Sequence, residues 1–294
     1  MQDFWIPENI KILKNEPLSR HCSMRTGGPA AAAAFPKTIP SLTELVRTAN
    51  EQNIRYLIVG NATNLLFDDR GFDGLIIFTG GLRGVLWNAN TVTAECGVSV
   101  TALAREAAAR GLSGLEFAYG IPGTVGGAVY MNAGAYGSEI ADVLVSSDYL
   151  RGCDVFTRGY CAHAFAYRSS IYRKTGEVIL RAVFSLVPGD PSEIRARSKK
   201  HMSSRRESQP LEYPNAGSIF KRPPCAYAGA LIEQAGLKGK RVGGAEVSEK
   251  HAGFIVNRGG ATTEDILRLI ELVREDVFRK TGILLEPEVI RIPY

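Results

Sequence analysis

The stretch that most constrains this chain is YGIPGTVGGAVYMNAGAYG, residues 119–137, in which Gly120, Gly123, Gly126, Gly127, Gly134 and Gly137 fall within 18 positions. Each glycine inside a helix costs about 1 kcal/mol relative to alanine, so such a tract is a poor way to build a helix. Close packing of small residues three apart is one explanation. A backbone pressed against a flat or phosphorylated ligand accounts for the set better. An earlier loop has a related character. VGNATNLL (59–66) follows an apolar strand and sets Gly-Asn-Ala-Thr-Asn in a turn, where backbone N–H groups can converge on an anion and Asn and Thr add donors. No Gly-Lys-Ser/Thr follows it, so it is not a P-loop. No G-x-G-x-x-G opens a helix after a strand, which disfavours a Rossmann dinucleotide site. From its own residues the loop reads as an anion cradle or as a plain strand-to-turn connection.

The elements around these loops mix helix and strand. IRYLIVG (54–60), GLIIF (74–78), TVTAECGV (91–98), EVILRAVFSLVPG (177–189) and EVIRI (288–292) read as strands. SVTALAREAAARG (99–111) reads as a helix capped by Ser99 and stopped by Gly111, with Leu103, Ala104 and Ala107 on its apolar face. PSEIRARSKKHMSSRRES (191–208) reads as a polar helix and AYAGALIEQAG (226–236) as a short one. TTEDILRLIELVREDVFRKTG (262–282) is the clearest helix, with Ile266, Ile270, Val273 and Val277 on one face. Its charges have the signs that the helix dipole favours, Glu264 and Asp265 first, Arg279 and Lys280 last. PAAAAAFP (29–36) has helical propensity, but prolines bracket it below helix-sustaining length, so a strand is expected. PGDP (188–191) is the best linker.

At 294 residues the chain has room for two domains with a core each. Hydrophobic residues are 45% and charged residues 22%, a soluble globular mixture with no run long enough to span a membrane. The N-terminus MQDFWIPENIKILKNE has scattered charges and no apolar centre, unlike a secretory signal. Lys plus Arg outnumber Asp plus Glu by 35 to 30, a net charge of +5 that suits an anionic small molecule and is too dispersed for nucleic acid. Cys22, Cys96, Cys153, Cys161 and Cys225 form no C-x-x-C pair, and the four histidines lack ligand spacing. Reduced, mostly structural thiols in a cytoplasm are expected, and no metal.

Taken in order, HCSMRTGGPA, VGNATNLL, GLEFAYGIPGTVGGAVYMNAGAYG, YRSSIYR, NAGSIFKRP, LIEQAGLKGKRVGGAEVSEKHAGFIVN and LEPEV resemble the UDP-N-acetylenolpyruvoylglucosamine reductases (UDP-N-acetylmuramate dehydrogenases), from about residue 18 to 292. The resemblance implies an α+β chain. Residues 1–188 would form an FAD-binding domain of the vanillyl-alcohol-oxidase type, in two α+β subdomains split near 85. Residues 189–294 would form a C-terminal α+β substrate-binding domain. It implies FAD held without a covalent bond, touched by Gly60, Asn61, Ala62, Thr63, Asn64 and Leu65, and by Pro122, Gly123, Thr124, Gly126, Gly127, Gly134 and Gly137. The short connection from Tyr167-Arg168 to the strand at Val178 is similar to the family's short second class, which lacks a substrate-capping tyrosine insertion. Two places depart from the usual pattern. Ala62 and Thr63 stand where the family more often has Gly-Ser, and Arg222 where it more often has Asn.

The implied reaction converts UDP-N-acetylglucosamine enolpyruvate to UDP-N-acetylmuramate in cell-wall precursor synthesis, with NADPH as hydride donor. Hydride reaches the vinyl carbon through the flavin and a proton goes to the neighbouring carbon, so charge develops in the substrate carboxylate. That asks for a fixed cationic or acidic donor at the carboxylate and one proton donor. Arg168 suits the first demand, since a guanidinium grips a carboxylate bidentately. Glu288 in LEPEV would be the second group, protonated or hydrogen-bonded when it works, with Glu286 its local competitor. Ser218 would be the proton donor. It has no His or Asp beside it in sequence and needs none, because it gives a proton rather than attacking. Arg205, Lys221, Gln234 and Lys250 are candidates for the UDP and carboxylate, although a solvated helix also explains SKKHMSSRRES. A monomer in the cytoplasm, acting on small molecules and not on nucleic acid or membrane, completes the expectation. The rivals are an alcohol oxidase of the same fold, tethering flavin through His21 or His163, and a non-catalytic flavin or nucleotide-sugar binder.

Overall fold

The computed structural model describes residues 10–294, and the sequence reading of the N-terminus over 1–16 therefore falls in part, at residues 1–9, outside the described residues. Two compact units divide the chain. Among the described residues the first takes 10–13, Ala32–Asn61 and Gly74–Ser204; the second takes Lys14–Ala31, Ala62–Asp73 and Arg205–Tyr294. The second unit's C-terminal piece starts at Arg205, inside the helix Pro191–Ser208, and Arg197 of that helix donates to buried Glu116 in the first unit at 2.8 Å. The PGDP segment is not a free linker. Val187–Pro188 pairs with Leu112–Ser113, and Gly189 N–H donates to Gly111 C=O at 2.9 Å.

In the first unit an antiparallel sheet has the order Asp154–Gly159, Leu144–Arg151, Val178–Ser185, Thr91–Glu95, Val85–Asn88. Its inward residues Val92, Ala94, Leu180, Ala182 and Phe184 join Leu103, Ala104 and Ala107 of the helix Val100–Ala109 in one core. Ser99 caps that helix by accepting from Ala102 N–H at 3.3 Å, and Gly111 follows in the left-handed region at φ +71. Tyr56–Val59 and Phe72–Phe78 run parallel, Tyr56 opposite Leu75, and lead the chain to Gly60. Pro29–Phe35 is a strand, because its bracketing prolines leave too few residues to pay for a helix nucleus.

In the second unit the antiparallel order is Asn215–Ser218, Phe254–Asn257, Ala245–Val247, Arg241–Val242. The helix Thr263–Thr281 packs on it through Ile266, Ile270, Val273 and Val277, all buried, with Leu269 added to the same face. Thr262 and Asp265 form its capping box. Leu65–Phe67 runs parallel to Ile290–Ile292, Leu65 opposite Ile290. No helix among the described residues is long and apolar enough to cross a membrane. All five cysteines are free. Only Cys22 and Cys96 are buried; Cys153, Cys161 and Cys225 are exposed, so fewer of them are structural than expected.

Candidate active site

The first unit brings the two glycine-bearing loops together. Asn61 Nδ2 donates to Pro122 C=O at 2.9 Å, and a Cβ on Gly60 would collide with Thr124 Oγ1. Thr124 caps the helix Val125–Met131, its Oγ1 accepting from Gly127 N–H at 3.3 Å. The glycines of 119–137 then sort by cause. Packing fixes two of them: a Cβ on Gly126 would lie 2.9 Å from Cys96 Cβ, and one on Gly134 2.7 Å from Ser138 C=O oxygen. The small-residue helix packing that the sequence disfavoured is therefore real at Gly126. Backbone shape fixes Gly120 at φ +107 and Gly137 at φ +86. Gly123 and Gly127 need neither, since the nearest atoms to an added Cβ are 3.9 and 3.5 Å away and neither is left-handed. The backbone there is left open, and such a cradle fits the FAD that the motifs imply. Burial pushes the Cys96 thiol up to about 12, with Glu95 adding to it, so beneath Gly126 it is a neutral packing surface.

Arg168 stands in the same unit, on a tight turn in which Ala166 and Ser169 exchange N–H to C=O bonds of 3.0 Å each. It is half-buried and left-handed at φ +54, a position where glycine is cheaper. Its guanidinium donates to Gly134 C=O at 2.9 Å and lies over the Tyr167 ring at 5.1 Å. Arg173 donates to the Arg168 carbonyl at 2.8 Å.

Ser218 and Glu288 belong to the second unit. Ser218 ends the strand Asn215–Ser218 opposite Phe254, just after Gly217 at φ +78, and it is exposed. The next residues lie beside the LEPEV segment. Lys221 N–H donates to Glu286 C=O at 2.9 Å, Phe220 bridges Pro287, and Glu288 N–H donates to Ile219 C=O at 2.7 Å. Glu286 is exposed and forms an ion pair with Lys221, whereas Glu288 is half-buried one residue from Ser218 along this pairing. Asn64 joins the same strand, its Nδ2 donating to Glu288 C=O at 3.2 Å and its carbonyl accepting from Ile290 N–H at 3.0 Å. Ala62, buried in this unit, takes φ +47 and accepts from Ser23 N–H at 3.3 Å; Thr63 and Leu65 are half-buried on either side of Asn64.

The substrate candidates divide. Lys250 Nζ donates to Arg206 C=O at 2.7 Å, which ties it to the end of the helix that carries half-buried Arg205. Gln234 is exposed at the end of the helix Ala228–Gln234. Lys221 already holds Glu286. Arg222 lies over the Tyr227 ring at 4.0 Å. Sequence reasoning missed Asn132, fully buried within the glycine tract and bonded to the Arg168 turn; only its place in MNAGAYG hinted at it. His163 does not suit a flavin tether. His163 is fully buried, with Nε2 at 2.7 Å from Ser147 Oγ and Nδ1 at 3.0 Å from Gly159 C=O, and burial lowers its pKa. His21 Nε2 lies 2.8 Å from Glu16 Oε1. No group of three His, Cys, Asp or Glu among the described residues is placed to hold a metal.

The model of an FAD binding domain matches residues 30–158, and that of the C-terminal domain of UDP-N-acetylenolpyruvoylglucosamine reductase matches 209–292. The UDP-N-acetylenolpyruvoylglucosamine reductase of Caldicellulosiruptor bescii is 48% identical over 95% of this chain and 90% of its own. That of Lactobacillus johnsonii is 46% identical over 96% and 95%. The crystal structure of the Thermus caldophilus enzyme of the same description is 32% identical, with a TM-score of 0.83 over 97% of this chain and 99% of that one.

Proposed function

The chain belongs to the UDP-N-acetylenolpyruvoylglucosamine reductase family, and from that premise we propose how its residues divide the work. It is an α+β flavoenzyme that uses FAD and NADPH to reduce UDP-N-acetylglucosamine enolpyruvate to UDP-N-acetylmuramate, an oxidoreductase of peptidoglycan precursor synthesis. Bound FAD supplies the hydride, taken from NADPH and passed to the vinyl carbon. Residues 1–188 serve the cofactor and also carry Arg168, and 189–294 serve the substrate. Gly60, Asn61, Ala62, Thr63, Asn64 and Leu65, with Pro122, Gly123, Thr124, Gly126, Gly127, Gly134 and Gly137, hold the FAD, and Gly123 and Gly127 leave the backbone open to it.

Arg168 grips the substrate carboxylate with its guanidinium and stays charged as negative charge grows there. Ser218 gives its hydroxyl proton to the carbon next to the carboxylate. Glu288, protonated or hydrogen-bonded when it works, is the second group for the developing charge, while Glu286 is engaged by Lys221. Arg205, Lys221, Gln234 and Lys250 serve the diphosphate and carboxylate. The chain acts as a monomer in the cytoplasm on small molecules.

One observation supports this division best: Asn61 bonded to Pro122 beside the Gly60–Thr124 contact, which makes one cradle of two loops 61 residues apart. The test is anaerobic mixing of the yellow protein with NADPH and then with the enolpyruvyl sugar nucleotide. Bleaching in the first step and return of colour in the second are expected. Bleaching without return would leave a flavin binder of another specificity. A colourless protein that FAD cannot reconstitute would refute the cradle.

A further inference from the structure

The turn that carries Arg168 is held in an unfavoured backbone region, and a residue with no assigned role supplies the deepest of its struts. Asn132 is 0% exposed and closes the helix Val125–Met131 in the left-handed region at φ +45. That conformation alone accounts for asparagine at a helix end. It does not account for what the side chain does. Asn132 Oδ1 accepts from Ala141 N–H at 3.0 Å, and Nδ2 donates to Ala166 C=O at 3.2 Å. Ala166 is the first residue of the Arg168 turn. Two further bonds join the same segments: Ser170 Oγ donates to Tyr130 C=O at 2.8 Å, and Arg168 donates to Gly134 C=O at 2.9 Å. The segment 130–134 thus docks 166–170 at three points.

A non-glycine residue in the left-handed region persists where its surroundings over-determine it. Of the three side-chain bonds, the one from Asn132 comes from a fully buried amide, where no water replaces a lost partner. We infer that Asn132 is a positioning residue for Arg168, its amide fixing the entry of the turn so that the guanidinium is presented to the substrate carboxylate in one orientation. This rests on the reading of Arg168 as the carboxylate ligand. Misplacement of a reacting contact by about 1 Å can cost roughly 10²-fold in rate, so a strut of this kind has kinetic weight.

Two variants separate this role from helix capping. Asn132→Gly keeps the left-handed backbone and removes both side-chain bonds. Asn132→Asp keeps an acceptor for Ala141 N–H but sets a carboxylate oxygen against Ala166 C=O, and it carries the test if the glycine variant does not fold. Amide hydrogen exchange reads the turn; stopped-flow reads the two half-reactions. Exchange at Ala166 and Ser169 is expected to speed at least about tenfold while Val125 and Gly126 stay protected. Flavin reduction by NADPH should be normal, and reoxidation by the enolpyruvyl substrate about 10- to 100-fold slower. In an Arg168→Lys background, Asn132→Gly should add less than about threefold. Unchanged exchange at the turn, or normal reoxidation while Arg168→Lys is slow, overturns the inference alone. Normal reoxidation in Arg168→Lys itself removes the reading beneath it, and the inference with it.

Discussion

At Gly126 and Gly134 in the tract 119–137 residue identity is set by space, and at Ser218 in the segment 213–223 it is not. A side chain at Gly126 would strike Cys96, one at Gly134 would strike Ser138, and Gly60 in the facing loop has no room beside Thr124. Ser218 is exposed and follows Gly217, around which nothing lies within 4 Å of an added Cβ. The fold would accept many residues in place of Ser218. A cradle therefore declares itself through what it excludes, while a proton donor declares itself only through the reaction it serves.

The comparison breaks most visibly at Arg168, which is strained like the cradle and chemical like the serine. Arg168→Lys keeps the charge and loses the fork, and turnover of the enolpyruvyl substrate should fall roughly 10²-fold or more, with FAD content unchanged. Lost FAD with normal turnover per flavin would make Arg168 part of the cradle. Next in size is Gly60→Val. Overpacking against Thr124 costs about 1–3 kcal/mol, which at about 1.4 kcal/mol per tenfold weakens FAD binding by roughly 10- to 100-fold, as measured by flavin release. Normal affinity would mean that the two loops can part without harm.

Gly127→Ala tests the cradle where the protein itself leaves room. The flavin-free protein should gain up to about 1 kcal/mol from the better helix former, while FAD affinity falls about tenfold by titration, one methyl displacing one close approach. Unchanged affinity would return Gly127 to an ordinary helix glycine. The smallest effect is expected at Ala62, where the left-handed angle costs about 1–2 kcal/mol and glycine's added chain entropy about 0.5–1 kcal/mol. Ala62→Gly should thus raise stability by roughly 0.5 kcal/mol in a denaturant titration. A loss would show that the methyl group's packing outweighs the strain.

Local chemistry made much of the fold legible. Ser99 caps the helix it was expected to cap, Gly111 and Gly282 follow the ends, and proline-bracketed Pro29–Phe35 is a strand. Long-range pairing was not legible. The units are assembled from separated pieces of chain, and the reason for Gly60 stands 64 residues away at Thr124. The Lys221–Glu286 pair and the Asn132 strut each join segments that no local pattern connects. At the site, glycines pointed to a ligand without naming it, and Ser218, Arg168 and Glu288 were singled out by the likeness of whole motifs, because none has a neighbour in sequence that betrays its chemistry.

The claim that Ser218 gives a proton, rather than ending a loop, is tested most directly by stopped-flow traces of both half-reactions in Ser218→Ala. Reduction of the flavin by NADPH should be close to normal, since that step takes no proton from a serine. Reoxidation by the enolpyruvyl substrate should slow by about 10²–10⁴-fold, the usual reach of a positioned general acid. A reoxidation trace at the normal rate would contradict the account and leave Ser218 as a residue that only shapes its turn.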